Sequence, residues 1–253
     1  MSETLEIGII AEGPTDILVI KEIVENLISD QYEFICTSIQ PKCSAAFEQL
    51  NTELGTGWSG VCRCLLEMKK QSNGKFDQHI GIQRLNMLII HLDVDVTRQS
   101  YADGHLQNID NNLPCPSISC PLPPKRKKLC PSNCDIPRQR ADTIRQVVLN
   151  WLNNCTPQHL VFCTPSDAMD AWVFAAFFPD DICVQQNKLE CVEKPERLLT
   201  SKSKQNRIKK TVADYRKKVV GSFGDLWSNA RKNCSEAERF SQEFMQVLNI
   251  VKK

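Results

Sequence analysis

The chain has no apolar run approaching the ~20 residues that a membrane-spanning helix needs, so membrane insertion is not expected. A cleavable leader is not expected, because Glu3 and Glu6 stand where basic residues would be required. No Gly-x4-Gly-Lys-Ser/Thr loop occurs, which excludes a P-loop ATPase within these residues. The net charge is only +1, so the protein is not basic over its whole surface, and any hold on a polyanion must come from local clusters. Tyrosine is scarce as well. Tyr32, Tyr101 and Tyr215 are the three in the chain, and none sits in a recognisable helix-turn-helix setting for tyrosine-linked strand passage.

What is present is the balance of an ordinary globular protein, with 42% hydrophobic and 24% charged residues over 253 positions. That length suits one large domain or a domain with an appendage, and the second is expected. Thirteen cysteines, an odd number without a leader, point to free thiols in a reducing cytoplasm rather than to a disulfide framework.

Hydrophobic patterning predicts strands alternating with helices. A short Ile-rich strand over 5–11 runs into Glu12-Gly13-Pro14-Thr15-Asp16, and apolar residues at helical spacing follow over 17–28. Pro14 suits a first helical turn, and Gly13 is expected to let the backbone bend sharply before it. Further strands are predicted over 33–39, 85–92 and 159–163, with helices over 61–70 and 140–152. The run Met87-Leu88-Ile89-Ile90 is apolar on both faces, as a central parallel strand should be. The fold class is therefore α/β, with a mostly parallel, Rossmann-like sheet flanked by helices. Between 98 and 137 the pattern gives way to seven prolines and four cysteines, read as an insertion within a catalytic domain spanning 1–178. Residues 179–253 read as a small helical region, with amphipathic segments over 208–220 and 236–251.

Acidic residues stand just beyond three of these strands: Glu12, then Asp93 and Asp95, then Asp167 and Asp170. In open parallel sheets that edge binds ligands, so residues far apart in sequence should converge there. Clustered carboxylates repel one another, and a hard cation with oxygen ligands, Mg²⁺ or Mn²⁺, relieves the repulsion most directly. The two-residue spacing of Asp93 and Asp95 places both on one face of an extended segment. His91 is read as pointing to the other face and is not counted as a ligand, and His79, His105 and His159 carry no spacing pattern. Taken alone, Glu12 is equally a first-turn acid held by the helix macrodipole.

The strand leading into Glu12-Gly13-Pro14-Thr15-Asp16, with a later apolar strand leading into Asp93-Val94-Asp95, resembles the Toprim domain of topoisomerases, primases and OLD-family nucleases. It is most similar to the small Toprim nucleases of bacterial anti-phage systems, such as PARIS-like nuclease subunits and Gabija-like Toprim halves. The resemblance implies a catalytic set of Glu12, Asp93 and Asp95, with Asp16 helping to hold a second metal. Pro165 to Trp172 resembles the acid-Trp stretch after the last Toprim strand, which puts Asp170 among the metal residues, where relatives more often carry Glu. It further implies an Mg²⁺-dependent endonuclease acting on DNA or RNA, partnered by an ABC-type or SMC-like ATPase, with a homo-oligomer also open. The 80 residues between Glu12 and Asp93 exceed the spacing in compact Toprim domains, and the 98–137 insertion lies outside their common core.

Two rival readings remain open. His91 to Thr97 also fits the first motif of haloacid-dehalogenase-like phosphatases, with Asp93 as nucleophile and Thr164 and Asp180-Asp181 as later motifs. That motif normally opens its domain, whereas here about 90 residues of αβ pattern precede it, and Glu12 would have no role. The other rival is a non-catalytic regulatory subunit of Toprim shape.

Cys115, Cys120, Cys130 and Cys134 form a C-x4-C-x9-C-x3-C cluster that either binds a structural Zn²⁺ or consists of free thiols. The run Lys125, Arg126, Lys127, Lys128 is read as a phosphate contact or a solvated loop. The stretch 202–218, including Lys209 and Lys210, carries eight Lys or Arg against the single acid Asp214 and is read as a basic helix, either a second rail for a nucleic-acid backbone or a solvated surface. Trp151 and Trp172 are read as core.

Overall fold

The structure is a computed structural model that describes residues 4–28, 32–41, 54–106, 109, 113–117 and 136–251. Cys120, Cys130, Cys134 and the run Lys125, Arg126, Lys127 and Lys128 lie outside the described residues. The elements in chain order are β1 (Leu5–Ile10), α1 (Pro14–Leu27), β2 (Phe34–Gln40), α2 (Gly57–Gln71), α3 (Ile80–Gln83), β3 (Met87–His91), α4 (Ile136–Trp151), β4 (Leu160–Cys163) and α5 (Met169–Phe177). They continue as α6 (Ile182–Gln185), α7 (Glu196–Ser201), α8 (Val212–Lys218), α9 (Phe223–Asn233) and α10 (Ser235–Val251). No helix among the described residues is long and apolar enough to cross a membrane.

The four strands form one all-parallel sheet in the order β2-β1-β3-β4, so the fold is α/β and Rossmann-like. Alternation along each strand assigns its side chains to two cores. On one face, Ile7, Ile9, Met87, Ile89 and Val161 pack with α1, α5, α9 and α10. On the other, Ile10, Leu88 and Ile90 pack with α2 and α4 around Trp151. With helices on both sides the central strands have no solvent-facing side, which is why β3 is buried throughout and apolar from Met87 to Ile90. The C-terminal helices share the first of these cores, and Trp172, Trp227 and Phe240 cluster inside it.

Helix α5 escapes periodicity because Ala171 through Ala176 are all buried, so no polar stripe marks it. The basic stretch 202–218 is helical only over its last seven residues. Thr211 ends the preceding extended segment by accepting a hydrogen bond from the Asp214 amide at 3.2 Å, an N-cap that starts α8 there.

Trp172 lies wholly buried against Trp227 at a ring separation of 5.4 Å. Trp172→Ala is expected to cost about 3–5 kcal/mol in urea denaturation. A loss below ~1 kcal/mol would mean that α9 and α10 do not seal this face.

Candidate active site at the β1/β3 switch point

From β1 the chain crosses to β2 on one side, and β3 and β4 extend the sheet on the other. The C-terminal ends of β1 and β3 therefore flank the point where strand order reverses, where open α/β sheets leave a crevice. Glu12 leaves the end of β1, and its carbonyl accepts the Gly57 amide at 2.8 Å, which ties the strand to the start of α2. Gly13 is extended, with φ −146°, so its conformational freedom is not what the turn needs. It provides room instead: a Cβ there would stand 3.1 Å from Asp16 Oδ2. Pro14 then opens α1, and Asp16 sits in the first turn, where the macrodipole favours an acid.

Across the crevice, Asp93 makes the central contacts. Its amide donates to Glu12 Oε1 at 2.7 Å, joining the two strand ends directly. Its Oδ1 accepts the Met169 amide at 2.9 Å, so Asp93 caps α5 in place of Ala168, which has no side-chain cap to offer. His91 Nε2 lies 3.2 Å from the same oxygen. The expectation that His91 faces away is thus overturned: residues 91 and 93 are two apart on extended chain and share a side. The chain leaves extended geometry after Asp93, and Asp95 lies in the first turn of a 3-10 helix over Val94–Arg98. The Asp95 amide donates to the Asp167 carbonyl at 3.0 Å, which pulls the chain into that turn. Asp93 and Asp95 are therefore not arranged as alternating strand residues, although the charge of Asp93 still acts on Asp95.

Asp170 and Lys210 complete the group. Asp170 is 0% exposed; its Oδ1 accepts the Tyr215 hydroxyl at 2.5 Å, and its Oδ2 lies 2.7 Å from Lys210 Nζ. Lys210, expected as a nucleic-acid contact, is thus turned into the carboxylate site. Lys209 stays outside it, its amide donating to Asp214 Oδ2 at 2.6 Å. A cleft of about 380 Å³ opens between these parts, lined by Glu12, Asp16, Thr56, Gly57, Asp93 and Lys210 among others. Asp95 and Asp170 are not among its lining residues.

Burial pushes the Glu12 carboxyl well above its ordinary range, and the charges of Asp93, Asp95 and Asp16 add to this. Burial likewise raises Asp16 and Asp95, each to about 6. Asp93 goes the other way: burial opposes ionisation, but the His91 contact, Lys210 and the Met169 amide hold it below the usual carboxylate range. His91 is held above its usual value because the Asp93 contact and the Asp16 charge outweigh burial. A carboxyl pushed up beside one held down is the pattern of an acid/base site. Among the described residues no three His, Cys, Asp or Glu side chains are already gathered as a metal cluster. Oxygen donors around an under-neutralised cleft do suit a hard cation, and its ligation would draw Glu12, Asp16 and Asp93 closer.

Other acids and cysteines have structural work. Asp167 takes a left-handed backbone, φ 63°, and its carboxylate accepts from Arg98 and from the Lys194 amide, at 3.0 Å, fastening the β4–α5 loop. Thr164 is turned to Arg145 and Glu236, and Asp181 caps α6 and pairs with Lys202 at 2.6 Å, so neither lines the cleft. Cys115 is exposed and free, while Cys163 is buried. The sequence reading missed His91, which parity of spacing would have found, and Tyr215, which nothing in the sequence marks.

Asp16 and Asp95 have folded-state values above their unfolded ones. Their favourable contribution is complete below the unfolded pKa and is lost as pH rises through about 6. The melting temperature of the metal-free protein is expected to fall by on the order of 5 °C between pH 5 and 7.5, and Asp16→Asn should flatten the slope. A melting temperature that rises across this window would mean these acids are ionised and well paired in the fold. Compared with known proteins, the chain matches no family model, no curated protein and no solved structure.

Proposed function

We propose that this protein is a metal-dependent nuclease of Toprim type that hydrolyses nucleic-acid phosphodiesters. The observation that carries the reading is the direct meeting of Glu12 with Asp93 across the switch point, with Asp16 beside them in one cleft. That is the convergence the resemblance to Toprim nucleases implies for these positions. Mg²⁺ or Mn²⁺ would be held by Glu12, Asp16 and Asp93, with Asp95 close behind, and when bound it supplies Lewis acidity at the phosphoryl group. The protein's own contribution is positional. The Asp93 amide fixes Glu12 Oε1, and the Met169 amide fixes Asp93 Oδ1, with His91 Nε2 3.2 Å from that oxygen. Each carboxylate thereby commits one oxygen to the fold and keeps the other for ligation. Glu12, raised by burial, is the group suited to hold or release a proton beside the scissile bond.

The phosphatase reading has less support. Asp93 would have its nucleophilic oxygen, but Thr164 and Asp181 face other partners, and Glu12 would be idle. The resemblance extends the proposal further: a cytoplasmic effector of an anti-phage system, restrained or triggered by an ABC-type or SMC-like ATPase, acting on DNA or RNA.

Plasmid DNA and total tRNA incubated with Mn²⁺ would test the reading. Cleavage is expected to fall at least about 100-fold in both Glu12→Gln and Asp93→Asn. Hydrolysis of small phosphomonoesters that depends on Asp93 but survives Glu12→Gln would replace the nuclease with the phosphatase.

A further inference from the structure

We infer that Lys210 is a tethered cation standing where a second metal ion would otherwise sit, so that the site takes one divalent ion and Asp170 anchors the lysine rather than ligating metal. The inference rests on the metal-dependent reading above and deepens it.

Asp170 is the reason. It is 0% exposed, and both of its oxygens are engaged, one by the Tyr215 hydroxyl at 2.5 Å and the other by Lys210 Nζ at 2.7 Å. A strongly hydrated ion reaching Asp170 would have to displace the ammonium first. Lys210 is at the same time a cleft residue: it lines the wall with Glu12, Asp16 and Asp93, its side chain is 39% exposed, and it is close enough for its charge to favour ionisation of Asp16, Asp93 and Asp95. One ammonium thus acts on four acids.

The backbone keeps it there. Ile208 is buried on one side of Lys210 and Tyr215 on the other, the Ile208 amide donates to the Leu199 carbonyl at 3.3 Å, and the Thr211 cap starts α8. The lysine therefore projects from a segment pinned at both ends, and its charge is part of the folded site. A divalent ion placed between Lys210 and Asp170 meets like-charge repulsion in a poorly solvated cleft, whereas an ion held by Glu12, Asp16 and Asp93 has three carboxylates to offset the repulsion.

Titration of the full chain with Mn²⁺, with free ion counted by electron paramagnetic resonance and folding checked by circular dichroism, tests this without any activity assay. Wild type is expected to bind one Mn²⁺. Lys210→Gln should gain a second site, because Asp170 is then left as a bare buried carboxylate next to Asp16, and Lys210→Gln combined with Asp170→Asn should return to one. Lys210→Arg and Asp170→Asn alone should each keep one.

Two ions on wild type, or one on a folded Lys210→Gln, would overturn the role of Lys210 and leave the metal-dependent reading standing. Loss of the bound ion in a folded Asp170→Asn would make Asp170 a ligand and overturn its role as anchor. No ion on wild type would remove the metal-dependent reading, and this inference with it. If Lys210→Gln fails to fold, the wild-type count and the Asp170→Asn titration still distinguish a lysine anchor from a metal ligand.

Discussion

Much of the site depends on the way Asp93 is held. A carboxylate with 6% exposure survives ionised only if fixed donors or charges replace the water it has lost, and Asp93 has the Met169 amide at the start of α5 as donor and His91 Nε2 3.2 Å from the same oxygen. Its own amide passes the constraint on to Glu12. One residue therefore couples the end of β3 to the end of β1 and to the helix after β4. The helix dipole adds to the hold, since Ala168 leaves the first turn of α5 without a side-chain cap. The geometry of the acidic cleft is in this sense a consequence of how α5 is started.

The C-terminal helices bear on the same site from behind. They build the apolar layer over one face of the sheet, and from that layer Tyr215 reaches Asp170 while Lys210 enters the cleft. A second ionic knot, Arg145 with Glu236 and Glu243, links α4 to α10 at the β4 edge, and burial raises the Glu236 carboxyl there. Breaking one partner of such a pair leaves an uncompensated buried charge, so the knot fixes the orientation of α10 more than it adds net stability. Function and core share this region: the segment that packs the sheet also delivers the only lysine that lines the cleft among the described residues.

The sheet was legible because its evidence is local. Apolar runs bounded by turns marked all four strands within about two residues, and the parallel α/β class followed from their alternation with helices. The convergence of Glu12 and Asp93 was legible too, since strand ends at a switch point meet whatever the intervening length, and 81 positions made no difference. What the sequence hid was set by tertiary contacts. Helix α5 is apolar on every side and so shows no period. The break between Lys202 and Val212 follows from a Thr cap and the docking of Ile208, not from charge pattern, which is why a basic surface helix was expected where a cleft lysine occurs. Asp95 left the strand face because the Asp167 carbonyl took its amide, a bond made across the fold.

The arrangement is costly if stability alone is considered. Glu12, Asp16 and Asp95 all carry pKa values raised by burial, which means that the fold loses stability as pH rises and these acids ionise. An amide at any of these positions would keep similar shape without that penalty. Elsewhere several acids are matched, Asp167 by Arg98, Asp181 by Lys202 and Asp214 by Lys218, although burial raises Glu22 and Glu236 as well. Among the described residues, these under-neutralised acids gather at the crevice that the strand order creates, and the lysine that lines it is itself claimed by Asp170. Three raised acids thus stand close together at the C-terminal edge of the sheet, the edge at which open α/β folds bind ligands. That physical asymmetry, more than any likeness of sequence, is the support for the proposed cation site and for the proposed chemistry on an anionic substrate.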